Sequence, residues 1–190
     1  MILSILEDWD RAFDQTVIAA KEGKAIIYPT DTSYAIGGNA LDGKAIERIR
    51  GIAKTENPIP VIVANLEMLI KHFDLDDAER KFITQCCPGP YAFILKPKAR
   101  MPVEDKNGNV LVRIPNHIFI RKVCFELGKP MACESLNGEV SEFSKIGKEI
   151  VETADVAIDS GTKLPGKEPT VVNIRERKIE RQGAGEFSFE

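Results

Sequence analysis

Short β-branched and aromatic runs alternate with segments of helical apolar spacing along nearly the whole of this chain. Phe13, Val17 and Ala20 fall at i, i+4 and i+7 with Gly23 just beyond, which predicts a first helix that packs one face and stops there. A strand at 24–28 follows, then a helix that Asp42 can cap, in which Ala45, Ile49, Ile52 and Ala53 share a face and Lys54 sits at the C-terminal end. Pro60 to Ala64 reads as a short strand. Asp76 with Glu79 forms a capping-box start to a helix running towards Cys86, and Pro88-Gly89-Pro90 stops it. Strands are predicted at 91–96 and 110–114, joined by an exposed, mobile connection. Asn116 can cap the next helix, whose Ile120, Val123, Cys124 and Leu127 keep helical spacing up to Gly128. A strand at 130–134, a helix at 143–153, a strand at 155–159 and a hairpin of Thr170–Ile174 with Lys178–Gln182 complete the pattern. This order predicts an α/β fold, a mixed, twisted sheet with helices packed against it. At 190 residues and 43% apolar content, one substantial core is expected, so 1–190 reads as a single domain.

The predicted strand Ala25-Ile26-Ile27 opens into Tyr28-Pro29-Thr30-Asp31-Thr32-Ser33-Tyr34-Ala35-Ile36-Gly37-Gly38, which is crowded with hydroxyls. Pro29 lacks an N–H and should end ladder pairing, and the two glycines permit close backbone approach or positive φ. Thr30, Thr32 and Ser33 should then face a bound molecule. The same residue types also build an ordinary strand-to-helix connection.

Composition narrows the function classes. No apolar run approaches the roughly 20 residues of a membrane span, and the N-terminus has no secretory pattern, so a soluble, cytoplasmic protein is expected. Cys86, Cys87, Cys124 and Cys133 have no metal or redox spacing and read as reduced and mostly buried. The net charge is −3; residues 1–95 carry 10 basic and 14 acidic side chains, and residues 96–190 carry 16 and 15. Nucleic-acid binding by bulk charge is therefore not expected. A local basic concavity from Lys96, Lys98, Arg100, Arg113, Arg121 and Lys122 is one arrangement; a solvated mixed-charge surface is the other. Gly38 to Lys44 has P-loop spacing, but Ala45 replaces the Mg²⁺-binding hydroxyl and Asp42 would face phosphate, so the match reads as chance. His72 and His117 read as surface or capping residues.

The hydroxyl-rich stretch resembles the signature of the YrdC-like family of L-threonylcarbamoyladenylate synthases, in which a strand runs into Tyr-Pro-Thr-(Glu/Asp)-Thr-x-Tyr-Gly-Leu-Gly. Further stretches follow in family order. Lys54 precedes the Pro60-Val61-Ile62-Val63 strand, and Pro88-Gly89-Pro90-Tyr91-Ala92 resembles Pro-Gly-Pro-x-Thr. Arg113-Ile114-Pro115 resembles Arg-x-Pro, Ser135-Leu136-Asn137 resembles Ser-x-Asn, Pro169-Thr170-Val171-Val172-Asn173 stands for Ser-Thr-Val-Val-Asp, and Arg181-Gln182-Gly183 for Arg-x-Gly. Two departures resemble the YciO-like branch: Lys54-Thr55-Glu56 replaces Lys-x-Arg, and Gly138-Glu139-Val140-Ser141 follows the Ser-x-Asn in place of x-Ser-Gly.

The resemblance implies a single YrdC-like domain with a concave polar site. It further implies that ATP, bicarbonate and L-threonine form L-threonylcarbamoyl-AMP for modification of tRNA adenosine, with Mg²⁺ bridging phosphate oxygens. On this reading Lys54 and Arg113 are catalytic, Ser135, Asn137 and Arg181 bind the nucleotide, and Thr30, Thr32 and Tyr34 line the amino-acid pocket. Positioning and positive charge drive such a displacement, so no nucleophilic side chain is required. TRNA-modification partner proteins are implied as well. The alternative is a paralogue with little or no catalysis that binds a nucleotide or double-stranded or structured RNA.

Overall fold

The computed structural model describes residues 1–136 and 140–187. Among these the elements run β1 (Ile2–Ser4), α1 (Trp9–Lys21), β2 (Ile26–Pro29), β3 (Tyr34–Gly37), α2 (Gly43–Ala53), β4 (Val61–Ile62), α3 (Leu66–His72), β5 (Phe73–Asp74) and α4 (Asp77–Cys86). There follow β6 (Tyr91–Pro97), β7 (Val110–Arg113), α5 (Ile118–Leu127), β8 (Met131–Ala132), β9 (Glu134–Ser135), α6 (Lys148–Thr153), β10 (Val156–Asp159), β11 (Thr170–Asn173) and β12 (Lys178–Arg181).

The strands form two mixed sheets rather than one. The first has the order β1-β10-β2-β3-β9; the second runs β12-β11-β6-β7-β4-β8, with β5 paired to β6. The segment 131–135 belongs to both: Ile62 pairs with Met131 in the second sheet, and Ile36 pairs with Glu134 in the first. Between these pairings the Cys133 N–H donates to the Pro60 carbonyl at 2.8 Å, so one strand crosses from sheet to sheet. A concavity opens where the sheets diverge.

Several local expectations hold for their stated reasons. Asp42 caps α2 through the N–H groups of Lys44 and Ala45, and Asp76 and Glu79 make the reciprocal capping box of α4. Gly128 ends α5 at φ +69°. Helices α1 and α5 pack through Trp9 and Phe119, whose rings meet edge to face at 5.2 Å.

Other expectations change. Residues 28–38 form a hairpin, not a strand-to-helix connection: Tyr28 pairs with Ala35, and Pro29 makes the last pair with Tyr34. Gly37 and Gly38 serve close approach rather than positive φ, since a Cβ on Gly37 would lie 1.7 Å from the Ala132 carbonyl oxygen. The connection 98–109 is not uniformly exposed, because Met101 and Val103 are buried. Asn116 does not cap α5; its backbone N–H instead donates to the Asp31 carboxylate at 2.8 Å. The short elements β1, α3 and β5 fall below the length that periodicity detects.

Candidate functional site

The hairpin loop Thr30–Ser33 is held by its own polar groups. Thr30 Oγ1 accepts from the N–H groups of Thr32 (3.1 Å) and Ser33 (3.2 Å), donates to the Ser33 carbonyl (2.8 Å), and lies 3.0 Å from Thr32 Oγ1. A side chain so occupied fixes the loop. Arg113, at the end of β7, is only 4% exposed. Its Nη2 donates to Asp31 Oδ1 at 2.7 Å and to Thr32 Oγ1 at 3.2 Å, while the buried Nε has no partner. Asp31 therefore pins the loop to the second sheet through both Arg113 and the Asn116 N–H.

Of these groups Thr30, Thr32, Ser33 and Arg113 line a cavity of about 230 Å³. Ala35 joins them from the first sheet, and Ala92, Leu111 and Val171 line it from the second. Asn57 and Pro58, Glu134 and Ser135 of β9, and Glu168 with Arg181 complete the lining; β9 lies beside the hairpin, with Ser135 paired to Ala35 of β3. Arg181 Nη1 is ion-paired with Glu168, and its Nη2 donates to the Pro169 carbonyl at 3.3 Å. Burial pushes the Glu134 carboxyl up to about 7; Arg50 opposes that rise and Glu168 adds to it.

The cavity thus unites Thr30, Thr32, Arg113, Ser135 and Arg181. It does not include Lys54 or Tyr34. Lys54 is the C-cap of α2 in the left-handed region at φ 53°; its side chain is 73% exposed and its Nζ lies 3.6 Å from Glu149 across a separate depression between α2 and α6. The expectation that Lys54 and Arg113 share one hollow is corrected accordingly, because the helix ends with its last side chain turned towards α6. Tyr34 is fully buried, and its hydroxyl sits 2.7 Å from Ser160 Oγ and donates to Asp159 at 3.2 Å, tying β3 to the end of β10. Asn137 lies outside the described residues.

The six cations considered above do not converge on this cavity. Of the six, only Arg113 lines this cavity; Lys98 Nζ donates to the Ile70 carbonyl at 2.7 Å, and Lys122 lies over the Trp9 ring at 5.9 Å. Asp31, Glu134 and Glu168 are the functional candidates that motif reading passed over. Glu134 directly precedes the Ser-x-Asn stretch, but alternation along a strand would send it away from Ser135. Strand β9 ends after these two residues, and both reach the cavity.

The four cysteines are free; Cys124 and Cys133 are buried, and burial pushes the Cys87 and Cys124 thiols up to about 12. Among the described residues no group of three metal-ligating side chains occurs, and no helix is long and apolar enough to cross a membrane.

The profile of the family Sua5_yciO_yrdC, described as "Telomere recombination", matches residues 19–183. The chain belongs to the Sua5/YciO/YrdC family. Among its relatives, a Methanocaldococcus jannaschii protein provisionally named threonylcarbamoyl-AMP synthase is 31% identical over 163 residues, covering 83% of this chain and 77% of its own. YciO of Escherichia coli, itself uncharacterized, is 28% identical over 187 residues, covering 93% and 91%. Its crystal structure superposes with a TM-score of 0.86 over 98% of this chain and 96% of that one, at 25% identity. Near-complete mutual coverage, with the altered Lys54-Thr55-Glu56 run, puts the chain on the YciO-like branch of the family. Sua5 of Pyrococcus abyssi, crystallised with L-threonine, superposes with a TM-score of 0.79 at 26% identity over 91% of this chain. The chain spans 54% of that protein.

Proposed function

We propose that the Thr32–Arg113 cavity forms threonylcarbamoyl-AMP. The amine of L-threonine condenses with bicarbonate to a carbamate, releasing water. A carbamate oxygen then forms a bond to the α-phosphorus of ATP as the bond to pyrophosphate breaks. The observation that carries this reading is the convergence of Thr32, Ser33, Ser135, Arg113 and Arg181 on one cavity. Support comes from the L-threonine complex of the related Sua5 and from the name of the Methanocaldococcus relative.

Each side chain has a definable part. Ser33 offers a hydroxyl to a hydroxy amino acid, which a polar partner distinguishes from apolar look-alikes, while Thr32, whose Oγ1 is engaged by Thr30 and Arg113, holds the shape of the pocket. Ser135 and Arg181 offer a hydroxyl and a guanidinium to the nucleotide. Arg113 acts mainly as a positioning residue, since its Nη2 is already taken by Asp31 and Thr32. Mg²⁺ would be held chiefly by the phosphate oxygens, because the described side chains offer no three-ligand set. The ion would neutralise phosphate charge during transfer. The product would serve tRNA adenosine modification.

The test is pyrophosphate release by the pure protein. Release should require L-threonine, bicarbonate and Mg²⁺-ATP together, and fall at least tenfold in Thr32→Val and Arg181→Ala, an effect typical of lost positioning. Release no greater than that of Thr32→Val would refute the reading.

One observation favours a second reading. The cavity's cations, Arg113 and Arg181, are matched by Glu134 and Glu168, and Lys54 stands outside. Such a lining suits an amino acid better than an unaccompanied triphosphate. A paralogue that binds the amino acid without adenylating it would be stabilised by L-threonine yet release no pyrophosphate. The same charge balance offers double-stranded or structured RNA no positive groove in this cavity.

A further inference from the structure

Glu134 is the anomalous side chain of the cavity. It lines the rim from β9 with neither a hydrogen bond nor an ion pair to any described residue, although Arg50 and Glu168 lie close enough to act on its charge. Those neighbours are already engaged. Arg50 of α2 donates to the Asn57 carbonyl at 2.6 Å, Arg181 of β12 holds Glu168, and Arg113 of β7 holds Asp31. A half-buried carboxylate without a protein partner gains one when a ligand supplies it. The same cavity is lined by Arg113, a guanidinium 4% exposed that is ion-paired with Asp31. The lining therefore holds a carboxylate without a partner among the described residues and, elsewhere in it, a buried guanidinium.

We infer that Glu134 binds the ammonium group of an α-amino acid whose carboxylate is directed towards the Arg113 side, which makes Glu134 a specificity-determining residue. The inference rests on the proposed function and names the residue that recognises the amine.

The protonation of Glu134 supplies the sign of the test. Burial holds its carboxyl near 7, with Arg50 lowering and Glu168 raising it, so it is largely protonated at about pH 6 and ionised at about pH 8. An ammonium ligand selects the ionised form. L-threonine should then bind about tenfold more tightly at about pH 8 than at about pH 6, releasing a proton on binding at the lower pH. An anion seated against Glu134 would show the reverse, weaker binding at high pH and proton uptake.

Titration calorimetry of the full chain with L-threonine, in two buffers of different ionisation enthalpy, reads both quantities. Glu134→Gln should abolish the proton release, flatten the pH dependence and weaken binding at about pH 8 by about tenfold. The variant should melt no lower than the wild type, because Glu134 has no partner to lose. 3-Hydroxybutanoate, which is threonine without its amine, should bind both proteins alike. Threonine binding that is unchanged in Glu134→Gln, or proton uptake in the wild type, overturns the inference and leaves the proposed function standing. Absence of threonine binding at every pH overturns both. Proton-linked binding through Glu134 without pyrophosphate release upholds the inference and refutes adenylation.

Discussion

Two neighbouring stretches of the cavity lining, the hairpin and β9, are built in opposite ways. The hairpin wall is satisfied internally: the Thr30 hydroxyl bonds Thr32 and Ser33, and Asp31 takes one bond from Arg113 and another from Asn116. On the β9 side, Glu134 and Ser135 line the cavity without such side-chain cross-bracing among the described residues, and burial pushes the Glu134 carboxyl up to about 7. A motif crowded with hydroxyls thus spends much of its chemistry on fixing its own shape. The less conspicuous wall keeps the groups that need a ligand. Pre-organisation on one side lowers the ordering cost of binding, and unpartnered groups on the other supply selectivity.

Substitutions can break this contrast, beginning with the most damaging. Asp31→Ala leaves Arg113 buried without its ion partner and should destabilise the protein by about 3 kcal/mol, read from the denaturant midpoint. A loss below about 0.5 kcal/mol would show that Arg113 is solvated through the cavity and that the hairpin wall is not pinned. Thr30→Val preserves shape but orphans the Thr32 and Ser33 N–H groups, for an expected loss of about 2 kcal/mol.

Glu134→Gln should do the opposite. The carboxyl stands near 7 in the folded protein against an ordinary 4.5, so its contribution to stability is fully present below about 4.5 and lost as pH rises through 7. Discounted for its partial exposure, that loss is about 1–2 kcal/mol. At about pH 8 Glu134→Gln should therefore be more stable than wild type by about that amount, and the two should converge near pH 4.5. Identical pH–stability curves would show Glu134 to be well solvated. Lys54→Ala should matter least, below about 0.5 kcal/mol in stability, because its ion pair with Glu149 is exposed on both sides. It should also leave L-threonine affinity unchanged; a large drop would bring Lys54 back to the site.

Local chemistry made much of the fold legible. The caps at Asp42 and Asp76, the glycine stop at 128 and the closing hairpin all depend on residues within a few positions of one another. The division into two sheets was not legible, because it depends on one strand crossing between them at Cys133, and nothing near that residue marks a change of partner. The site divides on the same ground. Thr32, Arg113, Ser135 and Arg181 each stand in a recognisable stretch and converge. Lys54 does not join them, since the direction of its side chain is set by the left-handed cap at the end of α2. Asp31 and Glu134 were visible as residues but not as roles. Their roles come from contacts with β7 and α2, far away in the chain.

The central claim is that one cavity holds L-threonine and ATP together. Thermal unfolding with L-threonine plus bicarbonate, with Mg²⁺-ATP, and with all of them tests it most directly, because a ligand of the folded state raises the melting temperature by mass action. The account predicts that the complete set raises it by more than the two partial sets combined. No shift from L-threonine or from Mg²⁺-ATP, alone or together, would contradict it.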